Sequence, residues 1–284
     1  MDDILVIGAG PAGLLAAWSA RQRGATVRLV AAGIGSTHVM PGWVGVLQTD
    51  GDLFAALTEW IAGHPAHPYA LTGLDALNGG VAAFREVCGQ AGLHYVGDPA
   101  SGSNFRLPTA LGAAQVAALA PESFAAGDLR QRGDMLIAGL AGWRDFYPRL
   151  CAENLSRQGY PAQGVTFDLP EMRALSRFDA TPVGLARLFD RPEVRERVAG
   201  QIRPRLDGAA RVGLPAVIGY VSVAEAWRDL QDRLGVPLFE IPTLPPSVPG
   251  IRVFDAFKQA LRQAGVPIFL DMTATRGIVE GDRL

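Results

Sequence analysis

The stretch VIGAGPAG, residues 6–13, sets Gly8, Gly10 and Gly13 in a G-x-G-x-x-G frame directly after an apolar run. Each glycine answers a separate demand. Gly8 permits a tight turn, Gly10 lets the backbone approach a pyrophosphate, and Gly13 allows a helix to pack closely on a strand. The positive end of that helix would then hold the phosphate. Gly8, Gly10, Pro11, Ala12 and Gly13 are therefore expected to contact a dinucleotide. A glycine-tight strand-to-helix turn with no ligand is the alternative.

Two further stretches carry candidate chemistry. GSTHVMPGWVGVL, residues 35–47, is rich in small and hydroxylated residues and follows the second strand. Such a segment suits a chain passing beneath a pyrophosphate and an isoalloxazine, with Ser36, Thr37 and Gly42 as expected contacts; a plain surface loop is the alternative. A nicotinamide enzyme would more often continue into another βα unit, so flavin outranks NAD. The end of the second strand reads Val30, Ala31, Ala32, Gly33 and offers no carboxylate for an adenine ribose. FAD held by other groups, or FMN, fits that absence. In IPTLPPSVPGIRVF, residues 241–254, four prolines lead into Gly250 and Arg252. Prolines stiffen a loop partly by restricting the unfolded chain. Thr243, Ser247 and Arg252 could face a substrate or flavin phosphate there, or Arg252 could pair with an acid at a rigid crossing.

The elements that must position these residues read as an α/β protein. Residues 4–8 (ILVIG) form a continuous apolar run, expected of a strand buried on both faces. A helix over 12–23 and a strand over 26–30 complete a βαβ opening. Helical patterns cover about 52–63 and 75–91, and 97–132 is loop-rich. A new α/β rhythm then begins: strand MLIAGL, helix 145–158, strand GVTFDL, helices between about 182 and 206, strand RVGLPAVIG, helix 223–234 and strand VPLFEI. After the proline loop come a helix at about 251–264, the strand PIFLDM, and a hairpin turning near Gly281–Asp282.

Composition excludes several functions. Of 284 residues, 49% are hydrophobic and the formal net charge is −2, which allows a sizeable core and gives no electrostatic case for nucleic acid. Cys88 and Cys151 are the only cysteines, with neither metal-ligand spacing nor a disulfide framework, and suit a reducing cytoplasm. No signal-like segment precedes the first strand, and no apolar run approaches ~18 residues. Membrane association would have to come through a partner.

With these motifs in hand, the chain resembles the B subunits of the anaerobic, flavin-dependent glycerol-3-phosphate dehydrogenases. The resemblance rests on VIGAGPAGLLAA (6–17), HPAHPYAL (64–71), LIAGLAGWRDF (136–146) and above all PTLPPSVPGIR (242–252). It implies a complex with a catalytic flavoprotein subunit and an iron–sulfur subunit, docked on the inner face of the membrane. That complex would oxidise glycerol 3-phosphate to dihydroxyacetone phosphate and pass electrons to a quinone, with FAD or FMN as cofactor. A stand-alone flavin oxidoreductase and a non-catalytic scaffold are the alternatives. The implied fold is a discontinuous Rossmann-like flavin-binding domain, residues 1–105 and 241–284, with a smaller α/β domain inserted at 106–240. The proline loop would be the re-entry.

Oxidation of an alcohol by flavin also requires a base for the hydroxyl proton. Of His38, His64, His67 and His94, His38 lies in the segment expected near the flavin and is the candidate base, with a structural or exposed histidine as the alternative, and no base needed if the subunit only relays electrons; His67, before Pro68, is expected to fix a turn. The family continues past residue 284, so the flavin sheet is expected to be short of strands. A fragment or natural truncation with an incomplete flavin pocket, weak or absent flavin binding, and an exposed sheet edge that invites pairing are the corollaries.

Overall fold

The computed structural model of the protein describes residues 2–100, 102–174 and 181–278. Its opening is the expected βαβ unit: β1 (Ile4–Ile7), α1 (Pro11–Gln22) and β2 (Val27–Val30). A 3-10 turn over Gly35–Val39 follows, then α2 (Leu53–Gly63) and α3 (Pro68–Gln90). The loop-rich stretch contains short elements: β3 (Tyr95–Val96), β4 (Phe105–Pro108), β5 (Ala114–Ala117), β6 (Ala120–Pro121) and α4 (Glu122–Ala125). The next unit runs β7 (Met135–Leu140), α5 (Pro148–Arg157), β8 (Ala162–Phe167), α6 (Glu171–Ala174), α7 (Pro182–Phe189) and α8 (Pro192–Ile202). It ends with β9 (Arg211–Pro215), α9 (Val223–Leu234) and β10 (Leu238–Ile241), before α10 (Val248–Gln263) and β11 (Ile268–Phe269).

Two parallel sheets organise the molecule, in the orders β1-β2-β11 and β10-β9-β7-β8. β3 pairs with β6 and β4 with β5, both antiparallel. Every residue of β7, β9 and β10 is buried, as their apolar runs require when helices cover both faces.

The two larger apolar cores follow the two parallel sheets, and a third, smaller one gathers Trp43, Leu107, Phe124 and Ala216. Of the larger two, one gathers Leu14, Val27, Leu29, Phe84 and Val87 around Val253, Phe254, Phe257 and Leu261 of α10. The other is built from β7, β9, β10 and helices α5 to α9, and extends to Val248. The chain leaves the second sheet at Ile241, and α10, which packs on the first core, already begins at Val248. A stiff crossing from one core to the other is what Pro242, Pro245 and Pro246 supply, and α10, with Pro249 in its first turn, spans the join.

Two expectations change. β1 is not buried on both faces: among the described residues it pairs only with β2, and Ile4, Leu5 and Ile7 are 40%, 51% and 60% exposed. An apolar run signals burial only when a second layer and a second neighbour are present, and among the described residues neither covers β1. The helix expected at about 75–91 is present within α3, and a short helical turn from Pro68 precedes it across a kink at Gly73, which sits at φ 80°, ψ 166°. Of the strand expected at 267–272, only Ile268–Phe269 pairs, with Leu29 and Val30. The hairpin turn near Gly281–Asp282 lies outside the described residues.

Both cysteines are buried, and burial pushes each thiol up to about 12. Since the thiolate is the reactive form, neither should attack a disulfide reagent at about pH 8. We expect no fast-reacting thiol in the native chain and two after denaturation. A native thiol reacting at the rate of a free cysteine would contradict this burial.

Candidate functional site

The glycine loop takes the geometry its sequence demands. Gly8 donates its N–H to the Val30 carbonyl at 2.8 Å and sits at φ 109°, a conformation that side chains resist. Gly10 is the N-cap of α1 and brings no capping side chain, so the first amides of the helix are left for another acceptor. A Cβ placed on Gly13 would lie 2.0 Å from the Gly8 carbonyl oxygen, so helix and loop touch there. A Cβ on Gly10 would meet nothing nearer than Ser36 Oγ at 3.8 Å. The protein leaves that side of Gly10 open, with Pro11 and Ala12 exposed beside it. An open glycine at an uncapped helix N-terminus fits a phosphate. The residues present therefore suit the phosphate-binding part of a dinucleotide site, while no carboxylate ends β2.

The segment after β2 folds back onto this loop. A Cβ on Gly35 would lie 2.8 Å from the Gly10 nitrogen. Thr37 is fully buried, and its hydroxyl donates to the Ile34 carbonyl at 2.9 Å and approaches the Ala9 carbonyl at 3.5 Å. Its side chain therefore fastens the segment to the loop. Ser36, next to it, is exposed above Gly10. Gly42 lies against Pro249, where a Cβ would come within 2.4 Å, and its carbonyl accepts from Tyr95 Oη at 2.5 Å.

The proline loop docks against the same segment. Ser247 N–H donates to the His38 carbonyl at 2.7 Å. Ser247 Oγ accepts from Gly250 N–H at 3.2 Å, so this hydroxyl caps α10. Gly250 lies so close that a Cβ would be 1.9 Å from the Thr37 carbonyl oxygen. Two polar atoms on these touching segments, His38 Nδ1 and Thr243 Oγ1, are buried without a hydrogen-bond partner. Buried polar atoms are rarely left unpaired, because each costs about 1–3 kcal/mol. His64 and His67 lie at the α2–α3 elbow instead, stacked on and edge-on to Trp60. His67 caps α3 by accepting the Tyr69 N–H at 3.2 Å, the turn-fixing role expected.

Arg252 corrects the anion-binding expectation. It is 6% exposed and forms an ion pair with Glu240, Nη1 to Oε2 at 3.0 Å. Its Nη2 donates to the carbonyls of Ile218 (3.0 Å) and Gly219 (2.5 Å), and its Nε to Gly219 (3.2 Å). All three nitrogens are engaged inside the protein, so the acid-paired alternative is the one realised. Glu240, 1% exposed, also accepts from Ser123 Oγ at 2.8 Å and Ile218 N–H at 3.0 Å. Glu240 and Ser123 escaped the reading of the sequence. The available signal was one acid in the otherwise apolar strand VPLFEI, which implies a buried counter-charge.

Among the described residues no cluster of His, Cys, Asp or Glu could hold a metal ion, and no helix is long and apolar enough to cross a membrane.

The model of the FAD binding domain family matches residues 3–282. The chain is 32% identical to the B subunit of the anaerobic glycerol-3-phosphate dehydrogenase of Pectobacterium atrosepticum, over 93% of this chain and 64% of the relative. It is 32% identical to the probable B subunit of the Halobacterium salinarum enzyme, over 98% of this chain and 68% of the relative. For the B subunit from Mannheimia succiniciproducens the identity is 26%, covering 99% and 68%. The chain thus spans about two thirds of the length of these relatives. No solved structure matches it significantly.

Proposed function

The chain belongs to the FAD binding domain family and, within it, to the B subunits of the anaerobic glycerol-3-phosphate dehydrogenases, and from that premise we propose that it is the flavin-dependent redox subunit of such a complex. The complex would oxidise glycerol 3-phosphate to dihydroxyacetone phosphate and deliver the electrons to a quinone. A catalytic flavoprotein subunit and an iron–sulfur subunit are its proposed partners, and they would carry it to the inner face of the membrane.

In this reading the α1 N-terminus with Gly8, Gly10, Pro11, Ala12 and Gly13 binds the cofactor phosphate, with Ser36 above Gly10. The flavin, when bound, supplies the hydride acceptor. The observation that carries the reading is the pair of unpartnered buried atoms, His38 Nδ1 and Thr243 Oγ1, on segments joined by the Ser247–His38 bond. His38 Nδ1 can take the proton of a substrate hydroxyl, and Thr243 Oγ1 can hydrogen-bond the hydroxyl or phosphate oxygen of the same molecule.

Dye reduction by glycerol 3-phosphate, with FAD supplied to the purified full chain, tests the reading. His38→Gln should lower the rate ~100-fold, the low end for loss of a general base, with FAD content unchanged. An unchanged rate removes His38 from that role. The absent β2 carboxylate favours one second reading, a subunit holding FMN or relaying electrons without touching substrate. Bound flavin that glycerol 3-phosphate fails to reduce would select it.

A further inference from the structure

We propose that Glu240 is a positioning residue for the flavin site, linking the β10-β9-β7-β8 sheet to the segment over Gly10. The inference rests on the reading that flavin binds at the glycine loop.

The link is a continuous set of close contacts. Glu240 lies near the end of β10 in the second sheet and gathers donors from three other places: Ser123 in α4, Ile218 after β9, and Arg252 in the first turns of α10. Arg252 in turn holds the carbonyls of Ile218 and Gly219. One buried carboxylate thus fixes where α10 starts relative to the second sheet. Ser247, at the α10 cap, donates to the His38 carbonyl, Gly250 leaves no space against Thr37, and Pro249 fills the space beside Gly42. Residues 37, 38 and 42 are therefore placed by the start of α10. At the other end of the segment, Gly35 abuts the Gly10 nitrogen and the Thr37 hydroxyl reaches the Ala9 carbonyl. Close packing transmits small displacements, because nothing along this path has room to absorb them.

The charge makes the placement specific. A carboxylate–guanidinium pair is directional, and its desolvation is offset only when the geometry is well satisfied. Here the carboxylate oxygens receive the Ser123 hydroxyl and the Ile218 amide as well as the guanidinium. Swinging α10 away would leave the two charges unpaired in the interior. The cap of α10, and with it His38, is held at one position.

Glu240→Gln keeps the shape and one acceptor but faces Arg252 with a neutral amide. Ser123→Ala is the milder variant, removing a single donor from Glu240. Leu155→Ala serves as the control: it empties space in the second core, in α5, and touches none of these contacts. FAD titration of each full chain, read by the circular dichroism and fluorescence of the bound flavin, distinguishes the outcomes. We expect Glu240→Gln to weaken FAD binding at least tenfold and to alter the flavin spectrum. Ser123→Ala should shift both in the same sense by less, and Leu155→Ala should lower stability with the spectrum unchanged. Should Glu240→Gln fail to fold, Ser123→Ala against Leu155→Ala decides. Unaltered affinity and spectrum in both Glu240→Gln and Ser123→Ala overturn the inference while leaving the flavin site standing. An unsubstituted chain that binds no FAD overturns the reading of the site and this inference together.

Discussion

Gly10→Val should leave the protein folded and weaken FAD binding ~100-fold or more, equivalent to about 2.7 kcal/mol. The expectation of an intact fold comes from the backbone. Gly10 sits at φ −72°, ψ 173°, an extended conformation that a β-branched residue adopts readily. Its Cβ direction is clear, with Ser36 Oγ the nearest atom at 3.8 Å. What the valine occupies is the space a phosphate needs if it is to reach the first amides of α1. Gly13→Val is the contrasting case. There a Cβ would lie 2.0 Å from the Gly8 carbonyl, so loop and helix must separate and stability itself should fall. Circular dichroism and urea unfolding should show Gly10→Val close to the parent and Gly13→Val well below it. Full FAD binding by folded Gly10→Val would place the cofactor elsewhere.

The second large effect is on stability. Arg252→Met should destabilise the protein by on the order of 3–5 kcal/mol, the cost of breaking a buried pair from one side. The Glu240 carboxylate, 1% exposed, would keep Ser123 and Ile218 as donors but lose its counter-charge. The carbonyls of Ile218 and Gly219 would lose a donor at the same time. Replacing both partners, as in Glu240→Leu with Arg252→Met, removes the stranded charge and should recover part of the loss. A double-mutant cycle from urea midpoints measures the coupling. Additive losses would mean the two residues act independently, which the 3.0 Å contact between them argues against.

These two sites differ in how far they can be read from sequence. The glycine loop is a local object: strand, turn and helix are contiguous, and each glycine answers a demand made by its near neighbours in the chain. The same holds for β7, β9 and β10, whose apolar runs state their own burial. The stiffness of residues 242–247 is also legible, because prolines restrict the backbone wherever they stand; that this segment crosses from one core to the other is not. The short helical turn at 68–72 ahead of Gly73 is not, since so short a turn has no apolar period of its own.

What the sequence alone determined, then, is the βαβ opening, the α/β rhythm, and the stiffness of the proline loop. Each follows from hydrophobic period and backbone chemistry over short windows. Tertiary structure decided the partners. Thr37 turned its hydroxyl inward, Ser247 became a helix cap, and Arg252 met Glu240 rather than a ligand. It also decided that β1, apolar throughout, has only one neighbouring strand among the described residues. The physical reason is common to all of these. Side-chain pairing and burial depend on which atoms come within a few ångströms after folding, and Ser123 and Glu240 are 117 positions apart in the chain yet 2.8 Å apart in space.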